Sequence, residues 1–133
     1  MGRLNMKEWI SQTIQRKETI AIPIMTHPGI EFIGKTVHDA VTNGQVHYEA
    51  IKALCDKYPA AAATVIMDLT VEAEAFGAEI IFPKNEVPVC PAVYWRMKLL
   101  LKSWKFRRLN KGRIPEYLKA NMLTARNITD RPV

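Results

Sequence analysis

The chain has 133 residues, of which 48% are hydrophobic, and a formal net charge of +6. This length and apolar content are sufficient for one domain with a hydrophobic core. No run of about 20 apolar residues is present, so the sequence predicts no membrane span. The residues after Met1 also lack the apolar stretch of a signal peptide.

The two cysteines stand far apart, in different predicted elements. Cys55 lies in a predicted helix and Cys90 follows the last predicted strand. This usage favours reduced thiols buried as small core side chains over a disulfide framework. We therefore expect a cytoplasmic protein.

The positive charge is concentrated in one segment. Between Glu86 and Glu116 there is no acidic residue, whereas basic residues are frequent: Arg96, Lys98, Lys102, Lys105, Arg107, Arg108, Lys111 and Arg113. The rest of the chain is slightly acidic. The basic character therefore belongs to this segment and not to a whole surface.

In the first third of the chain, apolar residues spaced among polar ones predict an amphipathic helix within residues 4–17. A β-branched run predicts a buried strand over residues 19–25, although Pro23 lacks the donor that a central strand needs. The strand is followed by a predicted loop at His27-Pro28-Gly29.

In the middle of the chain, Thr36 followed by Asp39 resembles a capping box and predicts a helix start. Asn43-Gly44 interrupts this helix, and a second helix is predicted over residues 45–57. A continuous apolar run predicts a second strand over residues 61–69.

After this strand, Thr70 can cap a short helix through Phe76, which Gly77 ends. Glu72 and Glu74 lie in its first turns, where the helix dipole favours anions. Residues 78–82 predict a third strand, and residues 113–128 return to a clear helical pattern.

Alternating strands and helices predict right-handed βαβ units around a parallel sheet. Three strands with their helices leave a sheet edge uncovered, and a complete (β/α)8 barrel needs about 250 residues. The expected fold class is therefore α/β. Residues 1–133 would form the N-terminal βα units of a TIM barrel that is incomplete in this chain, with the rest of the barrel missing.

In such barrels the catalytic groups follow the strands. His27 after the first predicted strand and Asp68 at the end of the second occupy these positions. His38 and His47 would lie on opposite faces of a continuous helix, so they predict no metal pair, and we expect no metal ligand in this chain. The sequence also contains no glycine-rich phosphate loop and no G-x-S-x-G motif.

The stretch from Met67 to Glu79 (MDLTVEAEAFGAE) is more specific than these single residues. It resembles the uroporphyrinogen decarboxylase family, and particularly its corrinoid (methylcobamide:coenzyme M) methyltransferase-like branch. Two further stretches agree with this resemblance. They are the Ile22-Pro23 run leading to Gly34-Lys35-Thr36-Val37, and residues 112–118 (GRIPEYL).

The resemblance implies a TIM barrel with its site at the C-terminal mouth. Decarboxylases of the family place an Asp after an early strand, aimed at the pyrrole N–H groups of the tetrapyrrole, and Asp68 matches that position. An ionised Asp there would stabilise a protonated pyrrole. His27 would be a substrate contact at the mouth.

The decarboxylases also carry an arginine-rich loop after the first strand, which holds substrate carboxylates. Here Thr26-His27-Pro28-Gly29 contains no arginine, which argues against tetrapyrrole decarboxylation. The methyltransferase-like members bind zinc through His and Cys ligands from later strands. None of these ligands can be assigned to this chain, so we expect zinc and a corrinoid only in a full-length member.

The basic segment allows a different class of function, a small nucleic-acid- or membrane-binding module built on residues 94–113. On a helical wheel its apolar residues scatter, so no clean apolar face results, which weakens this alternative. An alternative hypothesis is that two compensating frameshifts scrambled residues 94–108. When possible codons for this stretch are read in the frame that begins at the third base of each codon, they can encode a helix and a turn like those of the family.

We therefore predict a truncated family member resembling enzymes that pass a methyl group from a methylcobamide to a thiol, with Asp68 as the catalytic residue and His27 as a substrate contact. The first alternative is uroporphyrinogen decarboxylase, in porphyrin biosynthesis. The expected partner is a tetrapyrrole or a corrinoid protein, and we expect no nucleic acid and no membrane. The fragment alone is expected to be inactive.

Overall fold

The structure, a computed structural model, describes residues 4–24, 26–91 and 110–133. Within these ranges it contains six α-helices joined by non-helical segments. They are α1 (Met6–Gln15), α2 (His27–Phe32), α3 (Val37–Thr42), α4 (Gly44–Lys57), α5 (Val71–Ala75) and α6 (Ile114–Asn127).

The predicted helices are confirmed, with small differences at their ends. The capping box at the start of α3 is complete: the Asp39 backbone N–H donates to the Thr36 hydroxyl, and the Thr36 N–H donates to the Asp39 carboxylate. The break before α4 is also confirmed, because the Asn43 side chain accepts from the first backbone N–H groups of that helix.

The predicted loop at His27-Pro28-Gly29 is wrong, since α2 begins at His27. The reason is local: Pro28 lies in the first turn, where its missing N–H is not needed and its fixed φ suits a helix. Thr70 precedes α5 as predicted, but its side chain makes no cap hydrogen bond to that helix. Gly77, with φ of 94°, follows α5.

The three predicted strands are wrong for the part of the chain that the structure describes. No strand occurs over 19–24, 61–69 or 78–82, and the β-pairing there consists of one isolated antiparallel bridge between Ile81 and Val89. The prediction of βα units of an incomplete barrel is therefore not confirmed by these helices and segments.

The first two of these segments nevertheless lie side by side. The Ala61 N–H donates to the Ala21 carbonyl over 2.9 Å. Further along, the Thr64 hydroxyl donates to the Pro23 carbonyl over 3.0 Å, and the Thr26 hydroxyl donates to the Thr64 carbonyl over 3.2 Å. Threonine side chains thus supply hydrogen bonds here, and Pro23 has no N–H to add to a repeating ladder.

Helix α4 is the centre of the packed region, and both α2 and α6 pack against it. Both contacts depend on close backbone approach at a glycine. A Cβ on Gly29 would lie 2.1 Å from the Ala50 carbonyl oxygen, and a Cβ on Gly44 would lie 2.3 Å from the Glu116 carbonyl oxygen. The core side chains around these contacts are Ile30, Val37, Ala40, Val41, Ala50 and Ile66, with Ile51, Ala63 and Ile128 in a second cluster.

Both cysteines are free thiols, as predicted, but the expectation that they are buried is wrong. Cys55 is half-buried and Cys90 is exposed. Burial raises the pKa of the Cys55 thiol.

Candidate functional site

The two stretches with the most specific sequence signals meet in space. Arg113, at the start of α6, joins residues 67–79 to residues 112–118. Its side chain donates to Asp68, before α5, and to Glu74, within α5. Gly112 makes this approach possible. It has φ of 56°, and a Cβ there would lie 3.1 Å from Glu74 Cγ.

Asp68 is at the centre of this junction, and its carboxylate has four hydrogen-bond donors. Oδ1 accepts from the Thr70 backbone N–H over 2.8 Å and from the Thr70 hydroxyl over 2.7 Å. Oδ2 accepts from Arg113 Nη1 and from the Tyr117 hydroxyl, the latter over 3.1 Å. A carboxylate offers about four acceptor positions, so these donors occupy all of them.

Arg113 is held from several sides at once. Its Nε donates to Glu74 over 2.6 Å and its Nη2 donates to the Thr70 hydroxyl over 2.8 Å, in addition to the Asp68 contact. The guanidinium also lies over the Phe82 ring, 4.8 Å from the ring centroid. The side chains of Asp68 and Arg113 are 1% and 7% exposed, so this is a buried ion pair with its hydrogen-bonding capacity largely used.

His47 of α4 borders the cluster. Its Nε2 accepts from the Ile66 backbone N–H over 2.9 Å, which places the ring proton on Nδ1 in the neutral form. The ring stands edge-on to Tyr117, with 5.0 Å between centroids. His47 thereby ties α4 both to the segment that leads into Asp68 and to α6.

The charges of the cluster follow from this geometry. Burial alone would raise the pKa of Asp68, but hydrogen bonds from Arg113 and Thr70 outweigh it and hold the pKa below its usual value. Burial raises the pKa of Tyr117, and the Asp68 charge raises it further. Burial lowers the pKa of His47 to about 4, against the opposing effect of Asp68. Near neutral pH the site therefore holds an ionised Asp68, a neutral phenol and a neutral imidazole.

Such a carboxylate is suited to accepting hydrogen bonds and to stabilising positive charge. It is not suited to acting as a general acid near neutral pH, because its pKa is lowered. The arrangement is therefore an electrostatic and hydrogen-bonding site.

The other predicted site residue, His27, is the first residue of α2 and is exposed. Within the described ranges its side chain makes no hydrogen bond or ion pair. The structure therefore does not join His27 to Asp68.

Sequence reasoning did not identify Arg113, Tyr117 or His47 as site residues. Arg113 was counted with the basic segment, and Glu74 was assigned to the helix dipole. A usable signal existed, since residues 112–118 are one of the stretches on which the family resemblance rests. A charged side chain beside Gly112 at a helix start is a candidate partner for a buried carboxylate such as Asp68.

Among the residues placed by the structure, no group of three or more His, Cys, Asp or Glu side chains could hold a metal ion. No helix in those ranges is long and apolar enough to cross a membrane. The basic module at 94–113 and the hypothesis of a frameshift over 94–108 fall almost entirely outside the described residues.

Comparison with known families gives one match: residues 7–133 match the family described as Uroporphyrinogen decarboxylase (URO-D). Searches of curated proteins and of solved structures found no match. The family match covers nearly the whole chain, including both stretches that meet at Asp68.

Proposed function

Because this chain belongs to the uroporphyrinogen decarboxylase family, we propose that it serves the methyltransferase-like chemistry of that family. In that chemistry a corrinoid would supply a methyl group to the sulfur of a thiolate and would itself keep the electron pair of the cobalt–carbon bond. The family match by itself supports the coarser statement, a decarboxylase-family or related methyltransferase function.

The observation that carries the choice of branch is the lack of arginine where a tetrapyrrole's carboxylates would need it. No arginine occurs between Arg16 and Arg96. The segment after the first predicted strand forms α2, whose first residues are His27, Pro28 and Gly29. A corrinoid presents mainly neutral carboxamides in place of free carboxylates, so its recognition needs no arginine cluster.

We assign Asp68 as the acceptor that binds an N–H group of the ligand, because it is ionised, buried and rigidly oriented by Arg113 and Thr70. His27 is proposed as an exposed contact. Zinc has no fitting set of side chains among the described residues, so no step of the reaction is assigned to a metal here.

Ligand binding by the purified chain tests this proposal. Methylcobalamin and uroporphyrin are titrated separately, each followed by its visible absorption. We expect methylcobalamin to bind more tightly, because uroporphyrin brings carboxylates that find no arginine partner. Tighter uroporphyrin binding would instead favour the decarboxylase, and binding of neither would contradict the proposed site.

A matched pair of variants assigns the binding to Asp68. Asp68→Asn keeps the shape of the side chain but removes its charge, and we expect it to weaken methylcobalamin binding. Asp56→Asn removes an exposed carboxylate that pairs with Lys52 on α4 and should leave binding unchanged. Circular dichroism of both variants establishes that they are folded.

A further inference from the structure

A ligand can hydrogen-bond to Asp68 only if one of the four present donors leaves, because all acceptor positions of the carboxylate are occupied. Both bonds to Oδ1 come from Thr70, two residues further along the chain. Breaking them would require the backbone turn before α5 to change. These two donors are therefore poor candidates for displacement.

Arg113 is also poorly suited to leave. Its bond to Asp68 is charge-assisted, and such bonds are roughly twice as strong as neutral ones. The same guanidinium is anchored by Glu74 and Thr70 and lies over Phe82. Removing it would leave two carboxylates, those of Asp68 and Glu74, without their common cation.

The Tyr117 hydroxyl differs from each of the other donors in a respect that matters for displacement. Unlike Arg113 it is neutral, and unlike Thr70 it comes from a distant element, α6. Its 3.1 Å distance to Oδ2 is also the longest of the four. Thr70 and Arg113 are buried, whereas Tyr117 is partly exposed. Movement of this side chain would therefore open a path from solvent to Oδ2.

We propose, on the basis of the function proposed above, that the Tyr117 hydroxyl occupies the position on Asp68 Oδ2 that an N–H donor of the ligand takes. Tyr117 is thus a specificity residue: a ligand must offer a hydrogen bond at least as good as that of the phenol. A neutral N–H donor meets this requirement. A ligand carboxylate does not, because it would repel Asp68.

Two sources offer such N–H groups, the carboxamides of a corrinoid and the pyrrole nitrogens of a tetrapyrrole. The variant Tyr117→Phe removes the competing hydroxyl and keeps the ring that packs edge-on against His47. Asp68 retains the two donors from Thr70 and the one from Arg113. Tyr48→Phe on α4 is the matched control, because Tyr48 is also partly exposed and none of the cluster's hydrogen bonds among the described residues comes from it.

The wild-type chain and both variants are titrated with methylcobalamin and, separately, with uroporphyrin. For Tyr117→Phe we expect a Kd about fivefold lower for the ligand that binds Asp68, which is the size of one neutral hydrogen bond no longer displaced. Tyr48→Phe should match the wild type. The ligand that shows the gain identifies the source of the N–H donor.

Binding to the wild-type chain with an equal or higher Kd for Tyr117→Phe would overturn this inference and leave the proposed function standing. Binding of neither ligand to any of the three chains would overturn both. A gain seen equally in Tyr48→Phe would show that the effect is not specific to Asp68 and would also overturn the inference.

Discussion

The helices around α4 and the segments predicted as strands are similarly apolar in sequence but differ in how far their apolar side chains are buried. Around α4, apolar side chains are buried: Ile51 is 1% exposed and Ala50 is fully buried. In the segment before α5, Met67 is 63% exposed and Leu69 is 84% exposed. A helix satisfies its backbone hydrogen bonds internally, whereas a strand needs a neighbouring strand to pair with.

The exposed segment still keeps a strand-like alternation. Ile66 and Thr70 are buried and the Asp68 side chain is 1% exposed, while Met67 and Leu69 point outward. Side chains of period two are typical of a strand. One face of this segment is thus covered by helices, and the other carries apolar side chains that are exposed in this structure.

The largest loss of stability is expected from breaking the Asp68–Arg113 ion pair, which links the segment before α5 to the start of α6. Arg113→Met should lower the free energy of unfolding by about 3–5 kcal/mol, because it leaves the buried Asp68 charge without its cation. Urea denaturation followed by circular dichroism measures this change.

Lys52→Met is the control for this variant, since Lys52 pairs with Asp56 in an exposed i,i+4 contact on α4. It should leave the free energy of unfolding nearly unchanged, because an exposed ion pair contributes little to stability. Equal losses from the two variants would contradict the assignment of Arg113 as the central link.

The contrast in burial predicts a contrast in side-chain truncation. Ile51→Ala should destabilise the fold by about 2–5 kcal/mol, because it creates a cavity in the core. Leu69→Ala should change stability by less than about 0.5 kcal/mol, because this side chain is already exposed. The same denaturation experiment compares them. A large loss from Leu69→Ala would mean that this side chain is buried in solution.

A smaller effect on stability is expected from protonation of His47, which makes the free energy of unfolding depend on pH. Its pKa is about 4 in the folded chain and near 6.5 when unfolded, so the unfolded chain binds the proton more readily. Stability is fully present above pH 6.5 and falls as the pH decreases towards 4. The loss amounts to at most about 3 kcal/mol.

His47→Gln keeps an acceptor for the Ile66 N–H but does not titrate, so it should flatten this slope between pH 6.5 and 4. His38→Gln, at an exposed position on α3, should retain it. Asp68 acts in a separate window: its pKa is lowered, so its contribution is lost only as the pH falls through that lowered value, below 3.8. A slope that survives in His47→Gln would rule out His47 as its source.

The helices could be predicted because their signals are local. The Thr36–Asp39 capping box and the Asn43 cap depend on residues within three positions of each other. The family could also be predicted, since the residues from Met67 to Glu79 carry it within one short stretch, and the match over residues 7–133 confirms it. The loop predicted at His27 is the exception: α2 begins there, and Pro28 supports its first turn.

Asp68 could be singled out from the sequence, but its surroundings could not. Arg113 lies 45 positions away and Tyr117 lies 49 positions away, and nothing in their spacing shows that they converge on one carboxylate. Packing of α6 against α4, with the close approach at Gly44, brings them there. The predicted strands failed for a related reason, because a strand exists only when another segment pairs with it.

The sequence by itself therefore determined the positions of all described helices except α2, the family and the identity of Asp68 as a candidate, since each depends on neighbouring residues. Only the tertiary structure decided that Asp68 is ionised, buried and fully hydrogen-bonded, and that Tyr117 is its one partly exposed donor. These properties depend on distance and burial, which are set when separate elements pack together.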